Sequence, residues 1–139
     1  MPSDHSYRNQ APALWPLYGR SLMPRQGQQN GADLTIPPLR ADLLGMHTDG
    51  DRLDRYRSVC GFANRTTVPA TWIHILAFPL HLKLLTDPQF PLPLLGLVHL
   101  RNEMTQWRPI GMGECLDLQV ALAGQTATDK GLEFDLVTT

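Results

Sequence analysis

VPATWIHILAFPLHLKLLTDPQFPLPLLGLVHLRNEMTQWRP, residues 68–109, is the stretch whose reading decides the fold class. From Ile73 to Leu85 the apolar residues Ile73, Ile75, Leu76, Ala77, Phe78, Leu80, Leu82, Leu84 and Leu85 leave no wide polar face. A helix that is apolar nearly all round must be covered on most sides. A sheet wrapped around one helix provides that cover.

The residues that follow supply the sheet. From Leu94 the even positions Val98, Leu100 and Met104 are apolar, while His99, Arg101, Glu103 and Thr105 are polar, the period of a half-buried strand. Leu116, Leu118, Val120 and Leu122 alternate with Asp117, Gln119 and Ala121, and Leu132, Phe134 and Leu136 alternate with Glu133 and Asp135. Three strands are therefore predicted after the helix, broken by the proline and two glycines of 108–114 and by the turn composition of Thr128 to Gly131. Consecutive strands joined by short turns predict an antiparallel sheet and an α+β fold.

Composition narrows the partners. With 139 residues and 42% hydrophobic content the chain can bury one modest core, so one domain is expected. A formal net charge of −1 and the lack of any Lys/Arg run give no reason to expect nucleic acid or an anionic membrane surface. The apolar stretches are interrupted by His, Lys, Asp and Pro, and MPSDHSYRNQ lacks a signal-peptide apolar region, so a cytoplasmic protein is expected. Cys60 and Cys115 are isolated in sequence and read as two buried small hydrophobes.

Upstream of the central stretch, residues 1–32 carry Pro12, Pro16, Pro24, Gly19, Gly27 and Gly31 and read as an irregular N-terminal arm, leaving 33–139 as the single domain. Residues 34–46 look extended, with Pro37 and Pro38 at a strand start or sheet edge, and form a candidate first strand. In Asp51 to Gly61 the spacing of Leu53, Tyr56 and Cys60, with acidic residues first and a closing glycine, predicts a short helix. Pro79 conflicts with a helix interior, where proline costs about 3 kcal/mol. A helix starting near His74 or Ile75 would place Pro79 just beyond the first turn. It would also leave the N–H groups of His74 and Ile75 free at a positive helix end, able to hold an oxyanion or carbonyl.

The central run, extended to GMGE at residues 111–114 and preceded by YRSVCGF at 56–62, resembles the amino-terminal half of the MaoC-like acyl dehydratases. These are double hot-dog proteins related to R-specific enoyl-CoA hydratases. The resemblance spans residues 14–139 and implies a hot-dog fold, an antiparallel sheet wrapped around one central helix. It implies reversible addition of water across a 2-enoyl thioester, performed in the family by an Asp and a His in the motif G-D-x-N-P-x-H. That motif is absent from this chain.

The resemblance therefore implies the non-catalytic half that shapes the acyl site, or alternatively a non-catalytic acyl-thioester-binding or dimerisation module. The hot-dog domain is expected to lack its last strand, because the sequence stops at Thr139 in what reads as the penultimate one. The implied partners are an acyl-CoA or acyl-carrier thioester and a second copy or second hot-dog domain, with no cofactor. In catalytic halves the helix opens with A-H-G, whose backbone amide contacts the thioester carbonyl. Ile73-His74-Ile75 stands there in this chain, so His74 and Ile75 are the candidate substrate-binding residues and no residue is assigned as catalytic.

Other chemistries find less support. His81 lies seven residues beyond His74, about 10 Å along a helix and too far to share a metal ion, so no metal site is expected. His99 is expected to be solvated or paired across strands, and Arg101 and Arg108 are candidates for carrier phosphates. Asp49, Asp51 and Asp54 are better suited to capping a helix than to acid/base work. No serine lies in a G-x-S-x-G elbow, and Gly111-Met-Gly113 lacks the rest of a dinucleotide loop.

Overall fold

Leu80 and Leu84, one turn apart on the central helix, are both fully buried, and the rest of the molecule is arranged to cover them. The computed structural model describes residues 4–23 and 34–139. In chain order it comprises β1 (Asp4–Arg8), α1 (Leu14–Ser21), β2 (Arg40–His47), α2 (Asp51–Cys60), α3 (Ala70–Leu85), β3 (Cys115–Thr128) and β4 (Gly131–Thr138). The four strands form one sheet in the order β1-β2-β3-β4. Helix α3 packs against β2, β3, β4 and α1. Leu39, Ala41, Leu43, Leu118, Val120 and Leu122 from the sheet side meet Leu76, Ala77, Leu80 and Leu84 of α3 in one core. This is the α+β architecture expected, a sheet around one long helix.

The sheet follows the alternation read from the sequence, with one addition. β2 and β3 run antiparallel with Ala41 opposite Val120, and β3 and β4 antiparallel with Leu122 opposite Leu136. The β3–β4 link is the two-residue turn Asp129-Lys130, followed by Gly131 at φ +139°. The addition is β1, which lies parallel to β2 with Asp4 opposite Arg40 and Arg8 opposite Leu44. The irregular arm expected over residues 1–32 thus contains a strand and a helix, while residues 24–33 lie outside those described. The polar sequence DHSYR hides its strand because an edge strand needs only a free backbone ladder to pair with, not an apolar face. In α1, Pro16 sits in the first turn where its missing N–H costs nothing, and Leu17 supplies the buried contact.

Three further expectations are corrected. The alternating run from Leu94 to Thr105 forms no strand: Leu95, Val98, Leu100, Met104 and Trp107 are all exposed, on both phases of the alternation. Period-two patterning makes a strand only where another edge supplies hydrogen bonds, and this run pairs with none of the four strands. Next, α3 starts at Ala70, not near His74, so Pro79 is the tenth of its sixteen residues and lies in the interior. The proline removes the donor that Ile75 C=O would accept from, and it does so at a partly exposed position where water can substitute. Finally, Cys60 and Cys115 are both exposed and unpaired as free thiols, because each falls at the end of an element, beyond the core.

Gly124 carries a local prediction. The β3–β4 register shifts between Ala123 and Gln125, and Gly124 spans the irregularity at φ +64°, a conformation a β-carbon disfavours. A β-carbon there would also lie 3.2 Å from Asp135 Oδ2. Gly124→Ala should lower unfolding free energy by about 1 to 2 kcal/mol in urea melts. An unchanged midpoint would mean that the bulge simply relaxes.

Candidate functional site

The start of α3 is held from several directions. Trp72 is buried and its indole N–H donates to Thr48 C=O at 3.1 Å, tying the first turn to the end of β2. The Tyr56 ring stands 5.1 Å from Trp72, and its hydroxyl donates to Thr71 Oγ1 at 2.6 Å. Arg57, buried to 1% exposure, donates through Nη2 to Thr67 C=O and to Met112 Sδ, closing the connection before α3 onto the segment before β3. Val68 N–H completes that closure by donating to Ile110 C=O at 2.8 Å. Nothing in sequence marks Arg57 as buried, since it sits among exposed arginines and its partners are 10 and 55 residues away.

His74 lies in the second turn of α3, so its N–H and that of Ile75 fall inside the helical ladder rather than at a free end. The amide cradle expected at these two residues does not form; their side chains, instead, define the face. Ile75 and Phe78 are each 37% exposed, and His74 is half-buried beside them. The His74 and His81 ring centroids are 5.3 Å apart, far closer than the helical rise separating their backbones, because His81 leans toward the helix N-terminus as helical side chains do. His81 Nε2 shares a hydrogen bond of 2.8 Å with Thr138 Oγ1, which joins the helix to the end of β4. His99, from the segment after α3, is near enough to act on both rings and donates from Nε2 to Arg101 C=O at 2.7 Å rather than to a cross-strand partner.

Burial favours the neutral form of both the His74 and the His81 imidazole. Burial, then His74 and His99, push His81 down to about 4. Burial, then His99, lower His74 as well. No carboxylate is among the causes in either case, so no acidic partner raises the basicity of His74. The pair can donate and accept hydrogen bonds at neutral pH but does not form the carboxylate–imidazole couple needed to add or remove water. Among the described residues no group of three or more His, Cys, Asp or Glu side chains is placed to hold a metal ion.

The remaining candidates are engaged elsewhere. Arg108 forms a two-pronged ion pair with Glu114, Nη1 to Oε1 at 3.0 Å and Nη2 to Oε2 at 2.7 Å, and Gly111 N–H donates to the same carboxylate. The guanidinium, then that amide, hold the Glu114 carboxyl down to about 2, and Arg108 is therefore committed to a loop clasp. Arg101 is exposed. The α2 N-cap is Gly50 with no side-chain cap bond, so Asp51 and Asp54 act on the helix dipole in its first turn, and Asp54 also faces Arg57 and Arg65 at 3.8 Å each.

One acid–imidazole pair that sequence reading missed does occur, far from His74. His5 Nε2 meets Asp87 Oδ2 at 2.8 Å, with Asp87 buried and its other oxygen accepting from Gln89 N–H. The pair bolts β1 to the turn after α3, at the opposite end of the helix from His74. A contact 82 residues apart leaves no local signature. The shallow depressions on the surface also lie elsewhere, one of 390 Å³ lined by Arg52, Arg55, Tyr56, Val59 and Trp72.

A mostly antiparallel sheet packed on one long, buried helix places the chain in the hot-dog class, and comparison with known proteins agrees. It is 29% identical over 117 residues, 84% of its length, to the 3-hydroxyacyl-thioester dehydratase X of Mycobacterium tuberculosis (strain ATCC 25618 / H37Rv), bearing out the resemblance to MaoC-like acyl dehydratases. The chain covers 39% of that protein's length. No family model matches it. No solved structure matches it.

Proposed function

We propose that this chain serves a 3-hydroxyacyl-thioester dehydratase, or R-specific enoyl-thioester hydratase, as the hot-dog half that shapes the acyl site without performing the chemistry. The observation that carries this reading is the similarity to a dehydratase over 84% of the chain, combined with the lack of G-D-x-N-P-x-H in its sequence. The neutral, carboxylate-free surroundings of His74 support it. In this reading Ile75 and Phe78 offer apolar surface to an acyl chain carried on coenzyme A or a carrier protein, and His74 offers a hydrogen bond to the thioester.

The partner in this reading is a second hot-dog domain, from another chain or another copy. Leu95, Val98, Leu100, Met104 and Trp107 are exposed along a segment with partly strand-like sequence that pairs with no described strand, as a segment completed by a partner would be. A cytoplasmic setting and a role in fatty-acid metabolism belong to the same proposal and rest on the kind of chemistry the relative's name describes. No described helix is long and apolar enough to cross a membrane.

Crotonyl-CoA hydration by the purified chain tests the division of labour. The expected rate equals that of the enzyme-free control, and light scattering at tens of micromolar should show association beyond a monomer. Turnover that disappears in His74→Ala would overturn the non-catalytic assignment and place His74 in the active site. A stable monomer would remove the partner.

A further inference from the structure

Cys115 opens β3 and His47 closes β2, and the register sets them directly opposite each other. The sulfur lies 3.4 Å from His47 Nε2 and 3.6 Å from Nδ1, so a small turn of the ring aligns either nitrogen with the thiol. Both side chains are exposed. On its other side the thiol is placed to donate to Gly45 C=O at 3.8 Å, where the β2–β3 register shifts and the backbone turns through φ +68°. Asp117 is fixed close by, its carboxylate accepting from Gly45 N–H at 2.8 Å.

We propose that Cys115, served by His47, is a thiol-modification site for small disulfides of the glutathione type. The chemistry is thiol–disulfide exchange. His47 takes up the thiol proton, the Cys115 sulfur attacks one sulfur of the small disulfide, and a new S–S bond forms as the old one breaks. The other half of the reagent leaves as a thiolate and recovers the proton, so the small disulfide is the oxidant. Cys60 and Cys115 are free of each other in the fold, so no neighbouring thiol resolves the mixed disulfide, and the cap persists until an external thiol removes it.

Cys60 provides the internal reference. It is exposed too, but it sits at the carboxyl end of α2, a poor place for an anion, and no imidazole hydrogen-bonds to it among the described residues. His47, the cross-strand neighbour of the modified position, directly precedes Thr48, whose carbonyl anchors Trp72 at the start of α3.

The experiment is incubation of the intact chain with glutathione disulfide, followed by mass spectrometry of the two cysteine peptides over time. Cys115 should acquire the adduct about tenfold faster than Cys60. His47→Ala and the more conservative His47→Gln should bring Cys115 down toward the Cys60 rate and leave Cys60 itself unchanged, which also confirms an intact fold. Equal rates at the two cysteines in the parent chain, or a Cys115 rate indifferent to both His47 variants, would overturn the proposal.

Discussion

Leu80→Ala and Leu84→Ala should each lower unfolding free energy by about 2 to 5 kcal/mol, while Lys83→Ala between them costs well under 1 kcal/mol. Both leucines are 0% exposed and meet β2 and β3 side chains, so truncation leaves a cavity that a closely packed core cannot fill by relaxing. Lys83 is only half-buried, and its stem can lie along the helix while the ammonium reaches water. Urea melts of the three variants make the comparison. Equal losses at all three positions would mean that the sheet does not cover α3 as described.

His81 should make the protein acid-sensitive. Its ring is held neutral by burial and by the neighbouring His74 and His99, with its value lowered from 6.5 to about 4, and the unfolded chain therefore binds a proton that the folded chain refuses. The stability at stake is fully present above pH 6.5 and is lost as pH falls from there toward 4, by at most about 3 kcal/mol. The groups around the ring are His74 and Phe78 on α3, Thr138 on β4 and His99 on the following segment, so no anion is at hand to rescue the cation. His81→Phe removes the titration. Urea midpoints measured between pH 7 and pH 4.5 should fall more steeply for the parent than for His81→Phe, and parallel curves would show that the His81 ring accepts a proton without strain.

What could be read from the sequence was whatever has a short period. The mostly apolar α3, the alternation of Leu116–Leu122 and Leu132–Leu136, the turn at Asp129-Lys130 and the glycine-closed helix α2 all announce themselves within about a dozen residues. What escaped depends on partners far along the chain. The β1 strand is polar and exists because β2 has a free edge, Arg57 is buried because Thr67 and Met112 come to it, and His5 finds Asp87 across 82 residues. The run from Leu94 to Thr105 failed in the opposite sense: its pattern is that of a strand, but it pairs with none of the four strands. For the candidate site, sequence singled out His74 and Ile75 on the assumption of a helix starting beside them, and the true start of α3 at Ala70 was not legible, because the aromatic anchors Trp72 and Tyr56 outweigh the helix-breaking signal of Pro79.

The outer rim of β4 has a consequence for colloidal behaviour. With a net charge of only −1, the chain has almost no global repulsion to keep copies apart, so any protection against edge-to-edge stacking must be local. Along β4 the exposed positions include Glu133 and Asp135. Two copies laying this rim antiparallel about Phe134 would set Glu133 of each against Asp135 of the other, anion facing anion at every such crossing. A true mate for this rim brings lysine or arginine to the two crossings, and the charge pattern thereby discriminates between an identical neighbour and a complementary one.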